Sequence, residues 1–158
     1  MRVALTGHRP ERLNGREKEV RVWIEVMLEN FNDMEPITAA YCGMARGSDQ
    51  IFGLECLKQG FPLYCCYPFK KDKYSEQEQH LMAAAEQTIF LQEEYCGNAA
   101  YYERDCYMVD NCDVLFAIWD GEQTGGTWLT IDYALKQGKT VIYFPKEILW
   151  QEEVQLEK

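Results

Sequence analysis

Val114-Leu115-Phe116-Ala117-Ile118-Trp119 is apolar at six consecutive positions, and Asp120-Gly121-Glu122-Gln123-Thr124-Gly125-Gly126-Thr127 follows it directly. An unbroken apolar run this short predicts a strand covered on both faces, not one with a wet side. Similar runs lie at Val3–Leu5, Ile37–Tyr41, Leu63–Tyr67, Thr88–Leu91 and Thr140–Phe144, with the quoted run counted as Asp113–Trp119. Helix-length segments fall between them, at about 16–31, 48–59, 75–86, 98–111 and 127–137. In the first, Val20, Trp23, Ile24, Met27, Leu28 and Phe31 recur at helical spacing, which predicts one buried face. Gly60-Phe61-Pro62 and Gly138-Lys139 read as glycine stops that close two helices before strands. Strand–helix alternation of this kind implies an α/β layer sandwich, a mostly parallel sheet with helices on both faces.

With 158 residues the chain reads as a single domain, its core at about 1–145 and a C-terminal tail at 146–158. A composition of 47% hydrophobic, 27% charged and 13% aromatic residues excludes a disordered tail, a collagen-like fibre and a disulfide miniprotein. No apolar run reaches the roughly 18–20 residues of a membrane span, so no membrane partner is expected. Met1-Arg2-Val3-Ala4-Leu5-Thr6-Gly7 lacks the features of a signal peptide. Seven cysteines, two of them adjacent as Cys65-Cys66, suit no disulfide framework, and a reduced, cytoplasmic protein is expected. The net charge of −10 speaks against sequence-independent nucleic-acid binding, so DNA is an unlikely partner. Residues 1–24 nevertheless carry Arg2, Arg9, Arg12, Arg16, Lys18 and Arg21 against Glu11, Glu17 and Glu19, a local +3. A basic edge on an acidic protein fits a small anionic ligand. A homodimer is compatible with all of this.

In a parallel sheet of this kind, ligands bind outside the carboxyl ends of the strands. Gly43-Met44-Ala45-Arg46-Gly47-Ser48-Asp49 lies at such an end, before a helix. Gly43 and Gly47 allow close backbone approach or positive φ, Ser48 is an N-cap candidate, and Arg46 stands beside free helix N–H groups. A tight connection would need the same glycines. Gly125-Gly126-Thr127 repeats the pattern after the quoted strand, and two such turns favour a phosphate-bearing ligand that both reach. Neither G-x-G-x-x-G nor the P-loop pattern is present, which demotes dinucleotide-dependent hydride transfer and P-loop hydrolysis. Arg9 in Thr6-Gly7-His8-Arg9-Pro10 is a ligand candidate; a lone His8 in a loop is expected to be solvated, and His80 to lie on the surface. Neither His has a zinc-like spacing to a Cys, so no metal and no cofactor is expected, and Cys42 reads as a buried thiol sooner than a nucleophile. Tyr101, Arg104 and Met108 share one helix face, which favours a ligand contact for Arg104.

Thr6–Pro10, Gly43–Asp49, Arg104…Met108-Val109-Asp110 and Gly125-Gly126-Thr127…Tyr133-Ala134…Gly138-Lys139 occur in this order. Together, from Met1 to about Pro145, they resemble the SLOG superfamily, and within it a bacterial YpsA-like branch. The resemblance implies a Rossmann-like three-layer α/β/α sandwich that binds a nucleotide-like small molecule. Gly43–Asp49 is similar to the S-G-x-A-x-G-[IV]-D turn of the DNA-processing protein DprA, which binds single-stranded DNA. Gly125–Pro145 is similar to a later segment of that protein. Arg104 and Met108 match the R-K-x-x-M helix of the LOG phosphoribohydrolases, and Gly125, Gly126 and Thr127 match part of their P-G-G-x-G-T-x-x-E turn. The carboxylate position of that turn is Thr130 here, and Asp132 lies about 200° around the helix from it. The resemblance therefore implies a retained binding half and a missing catalytic half, unless Asp49, Glu55 or Asp120 substitutes. The expected ligand-binding residues are Arg9, Gly43, Arg46, Gly47, Ser48, Asp49, Arg104, Gly125, Gly126 and Thr127.

Overall fold

A computed structural model describes residues 1–151. Six strands, β1 (Arg2–Gly7), β2 (Ala39–Cys42), β3 (Leu63–Phe69), β4 (Gln87–Gln92), β5 (Val114–Ile118) and β6 (Thr140–Tyr143), form one sheet in the order β4-β3-β2-β1-β5-β6. Every pairing is parallel. Side chains alternate between the two sides of a strand. Val3 and Leu5 of β1, with Val114, Phe116 and Ile118 of β5, enter one core layer; Ala4 and Leu115 enter the other. Both sides are covered, which accounts for the unbroken apolarity of Val114–Ile118.

Helices α1 (Glu17–Met34), α2 (Ser48–Gln59) and α3 (Glu76–Ala84) carry the chain outward from β1 to β4 on the first face. Val20, Ile24 and Leu28 of α1 are buried there, and Trp23 and Phe31 meet the ring of Phe116 edge-on at 5.9 and 5.4 Å. Helix α4 (Ala99–Asn111) then crosses the opposite face to bring the chain back to β5, and α5 (Gly125–Lys136) joins β5 to β6. The winding reverses there, so the exits of β1 and β5 diverge and leave a crevice between them. Gly60 ends α2 in a left-handed conformation, as its place after the helix predicts.

The tail expected at 146–158 is partly built into the fold. Lys146–Trp150 forms a short helix, α6, with Leu149 buried in the first layer; residues 152–158 lie outside the described residues. Trp150 Nε1 donates to the Asp120 carbonyl at 2.7 Å, and Asn14 Nδ2 donates to the Gln151 carbonyl at 2.9 Å. No helix among the described residues is long and apolar enough to cross a membrane.

Candidate functional site

The exit of β1 is wedged between β5 and α2. A Cβ on Gly7 would lie 2.5 Å from Ser48 Cβ and 2.9 Å from Ile118 Cβ, so only glycine fits. His8 stitches the junction: its N–H donates to the Ile118 carbonyl at 3.2 Å, and its own carbonyl accepts from Ser48 N at 3.2 Å and Ser48 Oγ at 2.8 Å. Gly47, at φ +88°, packs its Cα against Pro10 and Arg9. The residue capping α2 is thus Gly47, and Ser48 is the first helical residue, fully buried, with its hydroxyl spent on His8.

Beyond this junction a cavity of about 430 Å³ opens at the crevice between β1 and β5. Gly126 and Thr127 at the start of α5 form one side, and Tyr101, Arg104 and Met108 of α4 form another. Ala45 and Asp49, from the first Gly-rich turn, reach the same space, so the two turns converge as expected. Arg9 and Arg12 stand at the mouth. The N-cap residue of α5, Thr124, makes no side-chain cap, and no acidic residue occupies the first turn of that helix. Its N-terminal N–H groups therefore present a partial positive charge toward the cavity.

Arg12 grips Asp120 with both arms of its fork, Nε at 3.1 Å from Oδ2 and Nη2 at 3.0 Å from Oδ1. Although burial pushes the Asp120 carboxyl upward, the Glu122 amide and the Arg12 guanidinium outweigh it and hold its pKa below the usual carboxylate range. His8 is buried, not solvated. Burial lowers its pKa against the opposing pull of the Asp120 carboxylate, whose Oδ1 lies 3.2 Å from Nε2, and the same Nε2 stands 3.1 Å from the Asp120 backbone nitrogen. The expectation failed because His8 follows directly on the strand end and lies under the β5 exit. His80 is exposed, as expected.

Arg104 is buried, and most of its fork is turned inward. Its Nη1 donates to the carbonyl of Gly43 and, at 3.4 Å, to that of Cys66; its Nε donates to Asp105 Oδ1 at 2.7 Å. Nη2 has no partner among the described residues. Asp49, 8% exposed, accepts through Oδ2 from the Ala45 N–H at 3.2 Å, while Oδ1 makes no hydrogen bond among the described residues. Burial drives the Asp49 pKa up to about 7 despite the nearby Arg104.

Of the residues named from the sequence, Arg9, Asp49, Arg104, Gly126 and Thr127 line this cavity, and Gly125 lies beside it, nearest to Arg12. Gly43 borders an adjoining pocket, and Gly47 and Ser48 are occupied with the β1 junction. Arg46 points outward, 2.6 Å from Glu11. Much of the basic N-terminal edge is neutralised in the same way, Arg2 by Asp113 and Arg21 by Glu25, but Arg9 forms no ion pair among the described residues. Glu11, Arg12 and Asp105 also line the cavity and were not singled out. Their signal was positional: Glu11 and Arg12 lie in the loop that follows β1.

Thr130 is buried, and its Oγ1 donates to the Gly126 carbonyl at 2.8 Å, one turn back in α5. Asp132 points away and pairs with Lys136 at 2.8 Å. Glu55 faces α1, with Arg21 at 3.7 Å, and does not reach the cavity. Asp49 is the one of the three substitute carboxylates that lines it. Cys42 is fully buried, as expected, and burial first, then Asp49, raises its pKa well above that of a free thiol. Among the described residues no group of three or more His, Cys, Asp or Glu side chains gathers as a metal site.

An all-parallel, doubly wound sheet with a polar cavity at its switch point is a Rossmann-like α/β domain. It is similar to DNA processing protein A (DprA) from Streptococcus pneumoniae, with a TM-score of 0.68 and 18% identity over 91% of this chain and 50% of that one. DprA from Helicobacter pylori, solved for its single-stranded DNA binding mode, gives 0.66 and 16% over 92% and 65%. The molybdenum cofactor carrier protein from Chlamydomonas reinhardtii gives 0.61 and 16% over 90% and 74%. This chain thus spans half the length of the pneumococcal protein. No protein-family model and no curated protein matches it.

Proposed function

We propose that the protein binds a nucleotide or another phosphoribosyl-containing small molecule at the carboxyl edge of its sheet, as a sensor or binding protein. One observation carries this reading: the uncapped N-terminus of α5 opens on a cavity that Arg12 also lines together with Arg9, which forms no ion pair among the described residues. Convergence of a helix dipole and the Arg9 guanidinium, with the Nη1 of Arg12 left over from its Asp120 pair, stabilises an anion such as a phosphate. Asp49 Oδ1, free inside the cavity, suits a sugar hydroxyl. The ordered motifs that resemble the YpsA-like branch agree with this reading.

A second reading, cleavage of a nucleotide N-glycosidic bond, is favoured by one feature. A carboxyl with a pKa of about 7 is suited to proton transfer at neutral pH, and Asp49 has one. Against it stands Thr130, a hydroxyl bonded into its own helix where the LOG pattern has a carboxylate. DprA-like binding of single-stranded DNA is weighed down by the −10 charge.

The test is a thermal-shift and calorimetric screen of nucleoside mono-, di- and triphosphates, with chromatography of each mixture over hours. Saturable binding that weakens in Arg9→Ala, with every nucleotide recovered intact, is the expected result. Base release abolished in Asp49→Asn would replace the sensor with the hydrolase; no binding by any nucleotide would end both.

A further inference from the structure

A smaller pocket of about 130 Å³ adjoins the cavity where β2, β3 and the start of α4 meet. The two share Arg9, Ala45, Tyr101 and Arg104 as a common wall. Their chemistry differs. Three carboxylates line the main cavity, those of Glu11, Asp49 and Asp105. None lines the smaller pocket, which instead gathers Arg9, Lys71 and Arg104 with the rings of Tyr67, Phe69 and Tyr101. A lining with three cations and no acid is contrary to the balance of a chain that carries −10.

The cations are held in place from behind. Lys71 Nζ donates to Glu78 Oε2 at 2.6 Å and lies over the rings of Tyr67 and Tyr74, 5.5 and 5.2 Å from their centroids. Glu78 is fixed in turn by the Tyr67 hydroxyl at 2.7 Å and the Ser75 N–H at 3.0 Å. An ammonium has three N–H donors, and one of Lys71's is used in a hydrogen bond among the described residues. The Arg104 side chain is 9% exposed, borders both spaces, and keeps Nη2 unpartnered among the described residues. Arg9, without an ion pair among the described residues, completes the set. The space equals about four water molecules at roughly 30 Å³ each, room for a tetrahedral oxyanion.

We propose that the ligand carries two separated anionic groups, one at the N-terminus of α5 and a second phosphate in this side pocket between Arg9 and Lys71. The hydroxyl-bearing middle of the molecule then faces Asp49 and Asp105 across the main cavity. The inference rests on the nucleotide reading above and narrows it to nucleotides phosphorylated at two positions.

The experiment compares adenosine and guanosine 5′-monophosphates with their 3′,5′-bisphosphates by calorimetry on the full chain. The bisphosphates are expected to bind at least about tenfold more tightly, as a charge-assisted contact implies. Lys71→Ala should reduce that ratio toward one, whereas Lys136→Ala, on the outer face of α5, should leave it intact. Far-ultraviolet circular dichroism and urea melts establish that each variant is folded. Equal affinity for both classes, or a preference that survives Lys71→Ala in folded protein, would overturn the second-anion site while leaving the nucleotide reading in place. Failure of all four nucleotides to bind, with no binding in the wider nucleotide screen, would remove the nucleotide reading itself and this proposal with it.

Discussion

The guanidinium of Arg104 holds the carbonyl of Gly43 across 61 residues of sequence, and the Gly43 Cα is caught between that guanidinium and the Asp49 carboxylate. A Cβ on Gly43 would lie 2.8 Å from Asp49 Oδ2 and 3.5 Å from Arg104 Cζ. Arg104 thus has a structural task apart from any ligand, the fastening of the β2 exit and the middle of β3 to α4.

Arg104→Ala is therefore expected to lower stability by about 3–5 kcal/mol, since it removes the partner of the half-buried Asp105 carboxylate and strands two carbonyls. Urea denaturation reads this directly. A loss below about 1 kcal/mol would show that water takes over the carbonyls, and any binding defect of the variant would then be a true contact loss.

Asp49→Asn should stabilise the protein, and only at higher pH. The folded pKa of about 7 lies above the carboxylate's ordinary 3.8, so the native state holds its proton while the unfolded chain has lost it. Stability contributed by Asp49 is complete below about pH 4 and falls as the pH rises through 7. At about 1.4 kcal/mol per pH unit the upper bound on the penalty is about 4 kcal/mol. Melts of the two proteins should coincide near pH 4 and diverge, with the Asn variant higher, by pH 8. Parallel curves would mean that Asp49 is ionised in the fold throughout.

Glu55 has a buried oxygen, Oε2, with no hydrogen-bond partner among the described residues, and its other oxygen stands 3.7 Å from Arg21. An unsatisfied buried polar atom costs about 1–3 kcal/mol. Glu55→Met should raise the urea midpoint by the equivalent of about 1 kcal/mol or more, because Arg21 keeps Glu25 as a partner. A lower midpoint would show that the Arg21 contact outweighs the stranded oxygen.

Two glycines should respond in opposite senses. Gly47→Ala places a Cβ at φ +88°, 2.9 Å from Pro10 Cδ and 3.0 Å from both Arg9 Cα and the His8 oxygen, and should cost about 1–3 kcal/mol. Gly126→Ala meets nothing within 4 Å and gains helix propensity, about 0.5–1 kcal/mol. Its methyl group would narrow the cavity, so nucleotide binding should weaken as the melting temperature rises. Equal effects on folding at the two positions would contradict the packing described at the β1 junction.

Much of the architecture is legible in the chain. Continuous apolar runs locate β3 and β5, and the spacing from Val20 to Phe31 locates α1, because both patterns follow from burial. The strand order is not legible, since a run such as Val3–Leu5 carries no mark of its neighbours. The five-residue α6 is too short for a helical period to show. At the site, the glycine motifs point to loops that border the cavity but do not say which of their residues face it. Gly47 and Ser48 serve another backbone where a ligand was equally plausible, and nothing local to Arg12 foretells its pairing with Asp120, 108 residues later.

That pairing has a further consequence. Arg12 belongs to the loop leaving β1 and Asp120 to the loop leaving β5, so their fork spans the crevice and fixes its width. Trp150 braces the same aspartate's carbonyl from outside. The fold's own ion pair sets this aperture, so a ligand of the proposed kind would spend no interaction energy on ordering it. On the binding reading proposed above, recognition would resemble a die more than a glove: a molecule of the wrong span would be turned away at a fixed aperture, and one of the right span would leave the backbone where it found it.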